Sequence, residues 1–214
     1  MKLLKYALTT LTALYVLNTS ALAQNLSFTY SKDSRDYHGL KIDGFSKLQH
    51  GLNLSGFMDI DSKPGEKDLS KFYLEPRITR TGFFKEGDDL VSRILNSLGV
   101  VGEYNGSEKE NDDNYRFGLA SNNKIKGMTI NFKYLPLNSK KSKQLSVFFN
   151  KNNKNWYIAG FIDYNIVDGK NKVLSEVWGG HRIKDNIYAG LELRLNQFLK
   201  ERKKGICATV EYKF

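Results

Sequence analysis

Residues 206–214 read Ile206-Cys207-Ala208-Thr209-Val210-Glu211-Tyr212-Lys213-Phe214. Ile206, Ala208, Val210, Tyr212 and Phe214 alternate with Cys207, Thr209, Glu211 and Lys213. One side is unbroken apolar and the other polar, which is the period of two of a half-buried strand. An aromatic residue stands at its tip.

The same alternation recurs upstream. Leu26, Phe28 and Tyr30 share a face, as do Leu40 and Ile42, set against Lys41, Asp43, Phe45 and Lys47. Leu52, Leu54, Met58 and Ile60 oppose Asn53, Ser55, Phe57 and Asp59; Phe72, Leu74, Pro76 and Ile78 oppose Tyr73, Glu75, Arg77 and Thr79. Pro76 removes an N–H and so predicts a bulge or a missing ladder bond. Weaker segments carry Leu98, Val100 and Tyr104, then Tyr115, Phe117 and Leu119. Met128, Ile130, Phe132 and Tyr134 oppose Thr129, Asn131 and Lys133; Leu145, Val147 and Phe149 follow. Trp156, Ile158, Ile162 and Tyr164 oppose Tyr157, Ala159, Phe161 and Asp163. Glu176, Trp178 and Arg182 share a face, and Ile187, Ala189, Leu191, Leu193 and Leu195 oppose Tyr188, Glu192 and Arg194. With the closing strand this makes about twelve segments, an even number as single-chain bacterial barrels have. The fold expected is all-β, an antiparallel transmembrane β-barrel over residues 24–214. The aromatic-tipped last strand resembles the closing strand of bacterial outer-membrane barrels, the element that barrel-insertion machinery would take.

The N-terminus predicts the route. Lys2 and Lys5 precede a charge-free, mostly apolar run from Tyr6 to Leu17, and Ala21-Leu22-Ala23 is a small-x-small site. Residues 1–23 therefore read as a cleaved secretory signal, and the run is too short for a membrane span. The bacterial outer membrane is the expected location. The formal charge of +10 falls to +8 without Lys2 and Lys5. Export argues against nucleic acid as a partner, and much of the basic surplus sits in loop-like clusters such as Lys140-Lys141 and Arg202-Lys203-Lys204. One cysteine, Cys207, excludes an internal disulfide, and its inward position reads as a small lumen filler.

Polar connections are expected at one end of the barrel: 31–37, 62–68, 105–114, 138–143, 167–172 and 199–205. Shorter turns are expected at the other: 48–51, 121–127, 150–155 and 184–186. The connection 81–96 is long for such a turn, and Leu90, Val91, Ile94 and Leu95 have helical spacing.

Three places resemble the Tsx-type nucleoside channels: Phe72-Tyr73-Leu74-Glu75-Pro76-Arg77-Ile78-Thr79; Gly39 to Asp61, ending Ser55-Gly56-Phe57-Met58-Asp59-Ile60-Asp61; and Gly99 to Asn105 with Tyr115 to Asn122. The resemblance implies a twelve-stranded outer-membrane barrel that passes nucleosides by diffusion, without a cofactor. Physical reasoning agrees, because rings stack on a base and charged groups bond hydroxyls. The stacking candidates are Phe45, Phe57, Tyr73, Tyr157, Phe161, Trp178 and Tyr188. The polar candidates are Lys41, Asp43, Lys47, Asp59, Glu75, Arg77, Asp163, Glu176, Glu192 and Arg194. The partners expected are a small polar solute such as a nucleoside and the lipid bilayer.

Alternatives remain at this stage. A porin for acidic oligosaccharides would suit the basic charge but not the mixed signs inside. A filled barrel would serve as a structural protein or adhesin. A soluble lipocalin-like barrel would invert the two faces. An enzyme would need a histidine beside a serine and a carboxylate. Ser175 and Glu176 lie near His181 in sequence, but residues that close on one strand rarely form a triad. His38 lies by an expected loop and His50 in an expected turn, so no enzymatic activity is expected. No paired Cys or His-x-x-His suggests a metal.

Overall fold

A computed structural model describes residues 23–62, 69–83, 89–107, 113–199 and 203–214. Its strands are β1 (Ala23–Asp33), β2 (His38–Lys47), β3 (Leu52–Ser62), β4 (Leu69–Thr81), β5 (Leu98–Ser107) and β6 (Asn114–Ile125). They continue as β7 (Met128–Asn138), β8 (Lys143–Asn152), β9 (Trp156–Val167), β10 (Lys170–Lys184), β11 (Ile187–Asn196) and β12 (Lys204–Lys213). One helix, α1 (Leu90–Ser97), stands between β4 and β5. Each strand pairs antiparallel with its sequence neighbours, and β1 closes the ring on β12. The seam runs from Ser27 opposite Lys213 to Asp33 opposite Cys207. Beyond it the Phe214 N–H donates to the Leu26 carbonyl at 2.9 Å. The expected signal segment lies outside the described residues except for Ala23, which opens β1.

The apolar set of each strand is on the outside. Leu191 is 61% exposed, Leu119 60% and Ile206 55%, an outward belt that water would penalise and lipid would not. Aromatic rings flank it: Tyr104 and Tyr115 pair at 5.2 Å near the loop-bearing end, and Phe214 packs on Phe28 at 5.4 Å and Tyr212 at 4.6 Å near the chain termini. Among the described residues no helix is long and apolar enough to cross a membrane.

Proline and glycine account for two of the irregularities; the register also shifts at Ala23/Asn25, Asp61/Ser62 and Arg182/Lys184. Pro76 faces Gly56 on β3, and β4–β5 pairing skips from Leu74–Gly106 to Arg77–Glu103 with unchanged register. Of the two outcomes foreseen for Pro76, the structure has the missing ladder bonds and not a bulge. The other of the two, unforeseen, is at Pro136, where the β6–β7 register shifts between Phe117 and Leu119. Gly118 fits there because a Cβ would lie 1.9 Å from the Tyr134 carbonyl oxygen.

Several connections are shorter than expected. Instead of 167–172 the chain turns at Asp168-Gly169, with φ of 49° and 70°. Instead of 121–127 it turns at Lys126-Gly127, with φ of 48° and 76°. Both are the left-handed pairs of a two-residue hairpin, whose twist matches that of long strands, so ladder pairing runs to the tip. The connections 62–68, 81–96, 105–114 and 199–205 fall partly outside the described residues. In α1, Asp89 caps the N-terminus by accepting from the Ser92 N–H at 2.9 Å. The same bonds from Ser92 hold the Asp89 carboxyl below its ordinary range.

Candidate functional site

The polar faces of the strands enclose one cavity of about 2220 Å³. Its wall includes Tyr37, Lys71 and Asn196 at the loop end and Asn25, Thr81 and Asn152 at the terminal end. Arg93, Ile94, Asn96 and Ser97 of α1 line it as well, so the helix sits at the terminal mouth.

Fifteen of the sequence-derived candidates border this space: Lys41, Asp43, Phe45, Lys47, Phe57, Asp59, Tyr73, Glu75, Arg77, Tyr157, Phe161, Asp163, Glu176, Trp178 and Arg194. Two point inward without lining it. The Lys213 ammonium lies over Tyr188 at 4.6 Å and Tyr157 at 3.7 Å, and so covers Tyr188. Glu192 is 4% exposed and accepts from Arg194 at 2.7 and 3.1 Å. A charged neighbour occupies the lumen side in each case.

The rings do not form one ladder. Phe57 meets Tyr73 at 5.7 Å, Trp178 meets both Phe148 and Phe161 at 6.3 Å, and Tyr157 meets Tyr188 at 5.6 Å. All four contacts are tilted or edge-on, as ring quadrupoles prefer.

The charges fall into two groups. On β4–β8, Arg77 pairs with both Glu75 and Glu103. Arg116 reaches Glu75 at 3.0 Å and Glu103 at 2.9 Å, and Lys133 pairs with Glu103. Tyr73 and Asn105 donate to Glu75 at 2.9 and 2.8 Å, and Arg116 also donates to Gln144. Carboxylates so buried persist because cations surround them, although Glu103 Oε2 meets Arg116 as an ion pair without a hydrogen bond. Beside this network Val101, Ala120 and Leu135 make a small apolar cluster. The second group is looser and richer in acid. Lys41 and Arg194 approach Glu176 at 3.8 and 3.9 Å, while Asp43 and Asp59 also face the cavity. Toward the terminal mouth, the side-chain oxygens of Asn131 and Asn150 are buried without a hydrogen-bond partner.

Sequence reasoning passed over Glu103, Arg116, Gln144, Phe148 and Lys213. The first four stand on the inward register of strands whose outward faces alone are conspicuous. Lys213 stands on the polar face of the closing strand, read for its alternation and not as a lumen residue. Cys207 is fully buried and donates its thiol to Asp33 at 3.2 Å. The histidines are scattered. His38 bonds the Tyr30 hydroxyl at 2.7 Å, and none of the three lines the cavity. Among the described residues no group of acidic, His and Cys side chains is placed to hold a metal ion.

No family model matches the chain, and no curated protein matches it. Solved structures do. A KdgM porin in complex with disordered oligogalacturonate is 13% identical with a TM-score of 0.56, covering 89% of this chain and 99% of the porin. A NanC porin is 10% identical with a TM-score of 0.59, covering 88% and 98%. Outer membrane phospholipase A from Escherichia coli is 9% identical with a TM-score of 0.57, covering 88% of each chain. At such identities the likeness is one of architecture: the chain has the closed twelve-stranded barrel fold of outer-membrane porins.

Proposed function

We propose that this protein is an outer-membrane channel through which nucleosides, or small polar solutes like them, diffuse. The observation that carries the reading is the cavity wall itself, where aromatic rings alternate with charges of both signs and with amides. A base against a ring gains ~1–3 kcal/mol by stacking. Sugar hydroxyls find carboxylates, ammonium groups and the amides of Asn131 and Asn150 along the wall. Several weak sites along one passage favour conduction over retention. The residues that would serve are the lumen candidates named above, without a cofactor. Export through a cleaved signal and insertion led by the closing strand complete the proposal.

A second reading, a porin for acidic oligosaccharides, is supported by the likeness to KdgM and NanC. The cavity wall carries more Lys and Arg than Asp and Glu, which also suits a polyanion, while Glu176, Asp43 and Asp59 make one acidic stretch that does not. Planar-bilayer recording separates the two. The expected result is a current that added adenosine reduces, with weak ion preference. Strong anion preference, with block by oligogalacturonate and none by adenosine, would replace the first reading by the second.

A further inference from the structure

Lys41 stands on β2, yet its ammonium meets side chains of β10. It lies 3.8 Å from Glu176 and 5.2 Å from the Trp178 ring. On its own side it lies 4.8 Å from the Phe57 ring, and Asp59 is its register partner. In the closed ring, β1, β12 and β11 separate β2 from β10. The side chain therefore spans a chord under which four strand spacings of about 4.8 Å each run along the wall. Its holds are loose. The Glu176 contact exceeds hydrogen-bonding distance, and the two rings offer faces and not acceptors. A lysine stem with four rotatable carbons can leave such a seat. What would remain is an aperture flanked by Asp43, Asp59 and Glu176, with Arg194 at 3.9 Å from Glu176.

We propose that Lys41 is a movable crossbar that narrows the lumen between Phe57 and Trp178 and sets its ion preference. In place, it narrows the aperture and masks the acidic flank. Displaced, it opens a wider, cation-preferring passage. The inference rests on the channel reading.

The test is single-channel recording in a KCl gradient, with heat-modifiable gel migration as the check of folding. Lys41→Met, which keeps the stem and removes the charge that seats it over the two rings, is expected to raise conductance and to move the reversal potential toward cation preference. Lys41→Arg, which keeps the charge, is expected to hold the wild-type reversal potential. Phe57→Leu, which removes one ring from the seat of Lys41, is expected to raise conductance and to shift the reversal potential in the same direction by less, and it decides the matter if Lys41→Met does not fold. A silent wild type with a conducting Lys41→Met also supports the crossbar. A conducting wild type that neither Lys41→Met nor Phe57→Leu alters would overturn the crossbar alone. Silence in every folded variant would overturn the channel reading, and the crossbar with it.

Discussion

Arg116 on β6 meets Glu75 on β4 at 3.0 Å, passing over the whole of β5. It can do so because Glu103 of β5 lies beneath and binds Arg116, Arg77 and Lys133 together. The Glu103 carboxylate is itself fully buried, and Glu103→Gln would leave Lys133 with a neutral partner and Arg77 and Arg116 with one acid of the two, Glu75. The expected loss of stability is about 3–5 kcal/mol, measured by urea unfolding in micelles. A loss no larger than that of an exposed pair would show that the network contributes little to holding the wall.

The exterior makes a second prediction. Leu191→Arg places a charge on the outward belt at a residue 61% exposed. Near the bilayer midplane the expected cost is about 2–4 kcal/mol, falling toward the rims. Refolding yield into liposomes of increasing denaturant content reads it. A variant as stable as wild type in lipid, and equally stable without detergent, would mean that this face meets water.

Close backbone approach makes a third. A methyl at Gly118 would stand 1.9 Å from the Tyr134 oxygen. Gly118→Ala is expected to force β6 away from β7 at the Pro136 shift and to lower the heat-modifiable fraction sharply. Gly127→Ala, at a turn where a Cβ meets nothing within 4 Å, carries only the strain of its φ of 76° and is the milder control. Equal yields from the two would discount the contact.

Ligand affinity gives a fourth. Removing one ring from the Phe148–Phe161–Trp178 group by Phe161→Ala is expected to weaken adenosine block of the current by roughly 5–150-fold, the equivalent of ~1–3 kcal/mol of stacking. Unchanged block would remove Phe161 from the solute path.

Cysteine chemistry offers the least laborious check. Cys207 is fully buried against Asp33, so maleimide is expected to label the protein only after unfolding. Rapid labelling of the folded barrel would contradict the closed β1–β12 seam.

The barrel was legible from alternation because each strand separates an apolar surrounding from a polar one, which imposes a period of two along the chain. The closing strand, β3, β7, β9 and β11 show it plainly. Pro136 escaped notice, though the rule applied to Pro76 holds there equally. The lumen was legible in part. Inward parity nominates Lys41, Glu75, Arg77 and Arg194 one by one. Which of them meet across strands depends on register and stagger, so the bond from Arg116 to Glu75 and the cover of Lys213 over Tyr188 appear only in three dimensions. Strand length was underestimated for the same reason: Asp168-Gly169 is a tip, and the polar residues around it belong to ladders.

The seam has a consequence for how the molecule comes together. Ser27 finds Lys213 only after every intervening segment has been made, so ring closure joins the most distant parts of the polymer and should govern the rate of assembly. Because those parts are adjacent in the finished molecule, a circular permutant cut at Asp168-Gly169, with residues 24 and 214 joined by a short linker, would turn that distant pairing into a local hairpin. The cut makes β9 and β10 the new distant pair, so such a permutant is expected to move the closing seam and to refold at about the natural rate.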